Sequence, residues 1–351
     1  MGKYTAIDDP SAHFQTAIYS GSNSLQAITN DGNSDLKPDW LWIKQRNGTE
    51  NHMLVDSTRG VSKYLLSDST SAEQTVTSRV ETLDTDGFTL NGASNPVNAL
   101  GGTYVGWQWK ANGGTTSSNT DGATTSTVQA NTDAGFSIVT YTGTGSATTL
   151  GHGLGVSPAV LIVKNRSSAL DWAVYHKNLT DAGYVIAINS TDAQVDSGTN
   201  RWNHTDPTSS VFSVGSGQQT NQSGDSLVAY CFAEKQGYSK FGSYVGNGND
   251  NGPFIYTGFK PAFVLTKGTN VSQWRLYDSA RSPNNVNINR LFPYSSSAEA
   301  TDTDAGIDML SNGFKIRGSG GDYNASGTTY IYMAFADNPF TTSTGIPTTA
   351  R

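Results

Sequence analysis

The segment Pro38-Asp39-Trp40-Leu41-Trp42-Ile43-Lys44 decides the fold, because its shape returns twice, as Pro158-Ala-Val-Leu-Ile-Val-Lys164 and as Pro261-Ala-Phe-Val-Leu-Thr-Lys267. Proline opens each copy, where a missing N–H costs least, and a run of mostly apolar, β-prone residues follows before the lysine. Each copy reads as a buried strand with a start signal and a charged stop. Three strands of one design predict three versions of one module.

Landmarks on either side keep the same rhythm. Phe14 to Tyr19 with Ser20-Gly21, Phe136 to Tyr141 with Thr142-Gly143, and Phe241 to Tyr244 with Val245-Gly246 precede the three segments. A Gly-x-x-Pro turn leads into the second and third, from Gly155 and Gly258, with Asp35 in that place in the first. A third strand follows each time: His52-Met-Leu-Val-Asp56, Trp172-Ala-Val-Tyr-His176 and Trp274-Arg-Leu-Tyr-Asp278. Asp56 with Arg59, and Asp278 with Arg281, have the spacing of a pair that braces a turn. Thr70-Ser-Ala-Glu73, Thr191-Asp-Ala-Gln194 and Ser296-Ser-Ala-Glu299 fit a capping box, which predicts one short helical turn per module.

The closing strands agree best. Period two places Val105, Trp107 and Trp109, then Val228, Tyr230 and Phe232, then Ile331, Met333 and Phe335 on one face, and all nine are apolar or aromatic. That face is expected to point inward. Agreement among independent landmarks separates a repeat from coincidence. The expected architecture is all-β: three tandem antiparallel β-sandwich repeats, jelly-roll-like, each with its own core. They occupy residues 13–110, 128–235 and 236–340, with a polar arm at 1–12, a Gly/Ser/Thr linker at 111–127 and an extended polar tail at 341–351. The junction from Ala233 to Ser239 is too short for free motion between the second and third modules.

Composition bounds the function. The net charge of −7 and the absence of any basic run argue against a nucleic-acid binder. Only 15% of residues are charged, while Gly alone numbers 38, a balance that suits turn-rich β-structure. Cys231 is the only cysteine, so no intrachain disulfide can form. No apolar run reaches signal-peptide or membrane-span length, so the chain is expected to fold in a cytoplasm and to reach the outside by lysis or a dedicated export route.

Several constellations invite chemistry, and each has a plainer reading. Trp40, Trp42, Trp107 and Trp109 could stack on sugars, yet their counterparts in the other copies share only apolar volume, so core packing is expected. Lys44, Lys164 and Lys267 are expected to lay their stems over the core edge with the amines in water. The histidines at 13, 52, 152, 176 and 204 lack ligand spacing, so no metal is predicted. Asn247-Gly-Asn-Asp-Asn-Gly252 has the rhythm of a calcium loop but Gly258 where the closing Glu belongs, which reads as a turn. Gly151-His-Gly-Leu-Gly155 leads into a strand and not a helix, so it makes no phosphate loop. Asp84 with Asp86 and Asp302 with Asp304 are the best carboxylate pairs for a glycosidase, both in turn contexts. Cys231 reads as a small buried residue. No catalytic, metal or cofactor-binding residue is assigned.

The phrases Gly151-His-Gly-Leu-Gly-Val-Ser-Pro-Ala-Val-Leu-Ile-Val-Lys-Asn-Arg166, Asp39-Trp-Leu-Trp-Ile-Lys44 with Asp56-Ser-Thr-Arg-Gly60, and Tyr330-Ile-Tyr-Met-Ala-Phe-Ala336 resemble a repeated β-domain of virion proteins from marine tailed phages, including cyanophages. The resemblance runs from about Phe14 to Phe340. It implies a non-enzymatic virion component, surface-exposed in a fibre or appendage and attaching to host glycan. It further implies other virion proteins as partners and a symmetric homo-oligomer, while the acidic charge and the lack of a long apolar run predict no nucleic acid and no membrane insertion. No catalytic residues come with it. The chain lacks the long shaft of many fibres, which leaves capsid decoration through the N-terminal arm as the alternative and a polysaccharide depolymerase as a third class.

Overall fold

In a computed structural model, residues 5–92, 96–302 and 305–348 are described, and they form almost entirely antiparallel β-sheet. Four strands of each module make a principal sheet. In the first, β1 (Phe14–Ser20), β2 (Trp40–Gln45), β3 (Met53–Asp56) and β4 (Thr103–Trp109) lie in the order β1-β4-β2-β3. Next, β5 (Phe136–Thr142), β6 (Val160–Asn165), β7 (Ala173–His176) and β8 (Ser226–Phe232) are ordered β5-β8-β6-β7. The third set, β9 (Ser239–Val245), β10 (Phe259–Gly268), β11 (Arg275–Asp278) and β12 (Thr329–Pro339), is ordered β9-β12-β10-β11. Register recurs with order: Trp40 faces Trp109, Val160 faces Phe232, and Phe263 faces Phe335.

The Pro-to-Lys segments are therefore interior strands, paired on both edges and covered on both faces. Their near-continuous apolar character follows from that double burial. Trp40 and Trp42 turn to one side, into a cluster that also holds Val160, Ile162, Phe263 and Leu265. Leu41 and Ile43 turn to the other, against Phe88 and Leu90 of a small sheet. Leu161 and Val163 pack likewise with Leu150 and Phe212, and Val264 with Ile255 and Phe314. Each module is thus a principal sheet packed on a smaller one, with its own outer core.

The nine inward positions of β4, β8 and β12 are all buried, but they do not serve three separate interiors. All nine meet in one central core shared by the three modules. Nor is their opposite face solvated: Tyr104, Leu227, Ala229, Cys231, Tyr330 and Ala334 are buried as well. From the second module alone, Phe136, Ile138, Val160, Ile162, Trp172, Val228, Tyr230 and Phe232 enter the shared core. At about 1.5–3 kcal/mol for each fully buried side chain, withdrawing that face would cost as much as the ~5–15 kcal/mol net stability of a whole domain. The modules form one body.

Residues 111–127, read from composition as a linker, are built into this body. Ser117–Asn119 pairs with Ser126–Asn131, and the Ala111 and Gly113 N–H groups donate to Asp39 Oδ2 at 2.7 and 2.8 Å. Small residues there permit close turns around one carboxylate. The described part of the arm is also docked, with Ala6 N–H donating to Gln236 O at 2.9 Å and Ile7 in the central core. In the tail, Thr342 N–H donates to Ile346 O at 2.8 Å, a turn where an extended run was expected.

One device explains the recurring Tyr-x-Gly. The hydroxyls of Tyr19, Tyr141 and Tyr244 donate to the carbonyls of Val97, Thr220 and Tyr323 at 2.9, 2.6 and 2.8 Å. The next residue is in each case a fully buried asparagine, Asn98, Asn221 or Asn324, whose Oδ1 accepts the N–H of Ser22, Thr144 or Asn247. A Cβ on Gly21, Gly143 or Gly246 would lie 2.1–2.3 Å from a carbonyl oxygen of that peg turn, so only glycine fits. The asparagines escaped the reading of the sequence, although each begins an Asn-x-x-Gly whose glycine has φ near +80°.

Candidate functional site

The ionisable groups converge on the seams between modules. Tyr230 on β8 donates its hydroxyl to Asp56 Oδ2 on β3 at 2.7 Å, and Arg59 donates to both. Trp107 on β4 donates Nε1–H to Asp278 Oδ2 on β11 at 3.0 Å, and Arg281 holds that carboxylate through its N–H and Nε. Trp107, Tyr230 and Met333 occupy one position in their sheets. Met333 has no N–H or O–H to offer, and on that seam the acid is replaced by His176, whose Nε2 lies 3.1 Å from the Tyr332 carbonyl. His176 Nδ1 accepts from Asn178 N–H, which leaves Nε2 as the donor. The missing acid in the second module follows from the missing donor across its seam.

These pairs are fully buried. Burial alone would lower the Arg59 and Arg281 guanidinium pKa values, but the neighbouring carboxylates more than offset this and hold both raised. Burial lowers His176 to about 4, so it is neutral. Asp56 and Arg59 do brace a turn, as their spacing predicts, through Arg59 N–H to Asp56 Oδ1 at 2.8 Å. Their larger task is to satisfy a group from the next module.

A second ring of contacts corrects the helical turns expected at Glu73, Gln194 and Glu299. None of the three stretches is helical; among the described residues helix is limited to Pro10–Ala12, Gln218–Asn221 and Gly321–Asn324. Each of those residues instead donates its backbone N–H to a carbonyl of another module: Glu73 to Arg166, Gln194 to Thr269, and Glu299 to Arg46, at 2.8, 2.9 and 2.7 Å. The Glu73 carboxylate bridges Arg59 and Arg166, and the Glu299 carboxylate bridges Arg281 and Arg46. Desolvation works to raise both carboxyl pKa values, and the arginines bring them below the usual range. A capping box needs the glutamate to fold back on its own chain. Two guanidinium groups outcompete one backbone N–H.

Lys44, Lys164 and Lys267 also differ from expectation, for all three are fully buried. Their amines are held by carbonyls: Gln45 and Gly48 for Lys44, Thr70 and Leu170 for Lys164, Gly268 and Asn270 for Lys267. Burial brings each pKa down to about 8. A lysine titrating lower in the folded than in the unfolded chain makes the unfolded state bind more protons above pH 8, so stability is expected to rise with pH there. Urea midpoints measured from pH 8 to 9 check this, and Lys164→Met should flatten the rise; a midpoint that falls across the window contradicts it. Beyond that window buried Cys231, pushed up to about 12, and the buried tyrosines act in the opposite sense.

The other candidates are occupied locally. Asp84 accepts from the Thr82 and Thr89 hydroxyls, and Asp86 from Leu36 N–H. Asp302 accepts from Arg290, while Asp304 lies outside the described residues. In the Asn247–Gly252 stretch the amide oxygens take N–H groups, Asn247 Oδ1 from Asn249 and Asn249 Oδ1 from Asn251. The four tryptophans at 40, 42, 107 and 109 are core residues, 2% exposed or less. His152 Nε2 contacts Thr208 O, His52 Nδ1 accepts from Trp42, and His13 lies edge-on to Tyr238. Exposed His204 is 3.6 Å from Asp181. No group of three or more metal-ligating side chains converges among the described residues, and no helix among them is long and apolar enough to cross a membrane.

A family model described as a domain of unknown function, DUF7483, matches residues 9–339, nearly the whole chain. The chain belongs to the DUF7483 family. No curated protein and no solved structure matches it. The extent of the DUF7483 match includes all three principal sheets and both rings of seam contacts, and every residue of the shared core but Ile7 lies inside it.

Proposed function

We propose that this chain is a non-enzymatic structural component of a tailed-phage virion, exposed on a fibre or appendage and contributing to host-surface glycan attachment. The observation that carries the non-catalytic part is where the buried charges go. Asp56, Arg59, Glu73, Asp278, Arg281 and Glu299 are consumed in joining modules, which suits a rigid spacer that presents its outer loops and sheets. The virion part rests on the phrases quoted above. Partners on this reading are other virion proteins and further copies of the chain, and its location is the particle released by lysis.

Capsid decoration is the second reading. It would use the arm, of which Thr5 to Ile7 are already engaged with the chain's own body. Electron microscopy of intact particles with the protein labelled distinguishes the two. Label confined to the tail apparatus is expected, and label at lattice positions over the shell would replace attachment by decoration. Incubation with host polysaccharide is expected to release no reducing ends; their appearance would make the chain a depolymerase.

A further inference from the structure

The outer faces of the three small sheets can be compared position by position, since Phe88, Phe212 and Phe314 hold equivalent places facing Ile28, Leu150 and Ile255. Flanking them, the first module has Ala27, Thr29, Thr89 and Asn91, and the second has Thr149, Gly151, Ser213 and Gly215, the last three buried, Gly151 beneath Asn119 and Gly215 beneath Thr199 and Asn200. The third has Phe254, Tyr256, Lys315 and Arg317. Phe254 is 45% and Tyr256 61% exposed, with Ile255 between them turned into the core. One scaffold thus carries small polar or aliphatic side chains twice and two bare aromatic rings once. The fold does not need those rings, and exposed aromatic surface of this kind marks a binding face.

The same face runs into a cleft of about 660 Å³, in the range of small-ligand sites, lined by Arg317, Asp250, Arg275, Asp302, Gly320 and Tyr323 among others. Lys315 pairs with Phe254 and lies two residues from Arg317, so Arg317 links the ring-bearing side of the sheet to the cleft, whose wall reaches the core residues Ala305 and Tyr323. From Arg317 to the position beside Tyr256 is four residues of strand, about 14 Å, room for a short oligosaccharide. The charges in the cleft are balanced by ion pairs, Arg317 with Asp308, Arg275 with Asp322 and Asp302 with Arg290, so it shows a ligand no dominant sign. That balance suits hydroxyl groups, which donate and accept at once, better than carboxylates or phosphates.

We infer that this outer face of the third module, from Asp250 and Arg317 along Lys315 and Phe254 to Tyr256, binds an uncharged glycan chain by ring stacking and hydroxyl hydrogen bonds. The inference deepens the attachment reading and rests on it. The test applies the full chain and its Phe254→Thr/Tyr256→Thr variant, which restores residue types found at these places in the other modules, to an immobilised panel of neutral and uronate-bearing oligosaccharides. The wild-type chain should be retained on neutral members and the variant should bind about tenfold more weakly or worse, with an unchanged unfolding midpoint because both rings are exposed. Equal retention of the variant would overturn this face and leave glycan attachment standing. Retention on uronates alone would overturn the uncharged assignment. A wild-type chain retained by no glycan would remove the attachment reading with it, and capture by purified virion proteins that the same variant abolishes would make the face an assembly contact.

Discussion

Asp278→Ala is expected to lower stability by about 3–5 kcal/mol, the usual cost of leaving a buried charge without its partner. Asp278 and Arg281 have fully buried side chains, and the carboxylate accepts from Arg281 N–H, Arg281 Nε and Trp107 Nε1. Alanine removes one of the two carboxylates that hold Arg281, leaving it Glu299 and the Leu276 carbonyl, and strands the Trp107 N–H inside the central core. Asp278→Asn separates these effects, since its amide oxygen can still accept from Trp107 but cannot balance the guanidinium, and it should recover only part of the loss. Because Trp107 comes from the first module and Asp278 from the third, adding Trp107→Phe to Asp278→Ala should cost less than the two separate losses combined. Urea denaturation of the four variants measures this. A loss under about 1 kcal/mol for Asp278→Ala would mean that the seam is wet and the pair is no better than a surface bridge.

The second large effect is expected at Trp40→Ala, again about 3–5 kcal/mol, from lost transfer energy and the cavity left behind. Trp40 is 1% exposed and stacks on Tyr230 with ring centroids 4.4 Å apart, with Trp109 at 4.6 Å and Phe136 and Phe232 nearby. Most of these rings belong to the second module, so the damage should not stay in the first. Tryptophan fluorescence and far-ultraviolet circular dichroism should report one coincident unfolding transition, shifted to lower denaturant. Two separated transitions, with only one of them moved, would show that the modules unfold independently and that the common core contributes little to cooperativity.

Much of the architecture was legible in the chain. The proline-led apolar runs, the alternating closing strands and the recurring Tyr-x-Gly located the main strands within a residue or two, except that the last runs four residues past Phe335 to Pro339, because pleat and turn chemistry act between near neighbours. The tryptophans were recognised as core because their counterparts in the other modules preserve volume and not ring type. Glu73, Gln194 and Glu299 were misread because a capping box and a hook to another module use the same residues at the same spacing. The lysines differ for a related reason: the carbonyls around Lys44 and Lys267 come from the last residue of the strand and the turn just beyond it, and one for Lys164 comes from Thr70 in another module. Nothing in the local pattern says that those carbonyls will close over the amine.

By itself the sequence determined that the protein is all-β and that its strands follow one scheme three times over, since hydrophobic period and turn residues are written locally. Only the tertiary structure decided that three inner faces meet in one core, that His176 meets the Tyr332 carbonyl where the other two seams pair an acid with Trp107 or Tyr230, and that among the described residues only the third module's small sheet turns aromatic rings to solvent beside a polar cleft. An apolar face carries no mark of which partner will cover it. That choice is made among residues far apart in the chain, by the shape and hydrogen-bonding capacity they present once the sheets have formed.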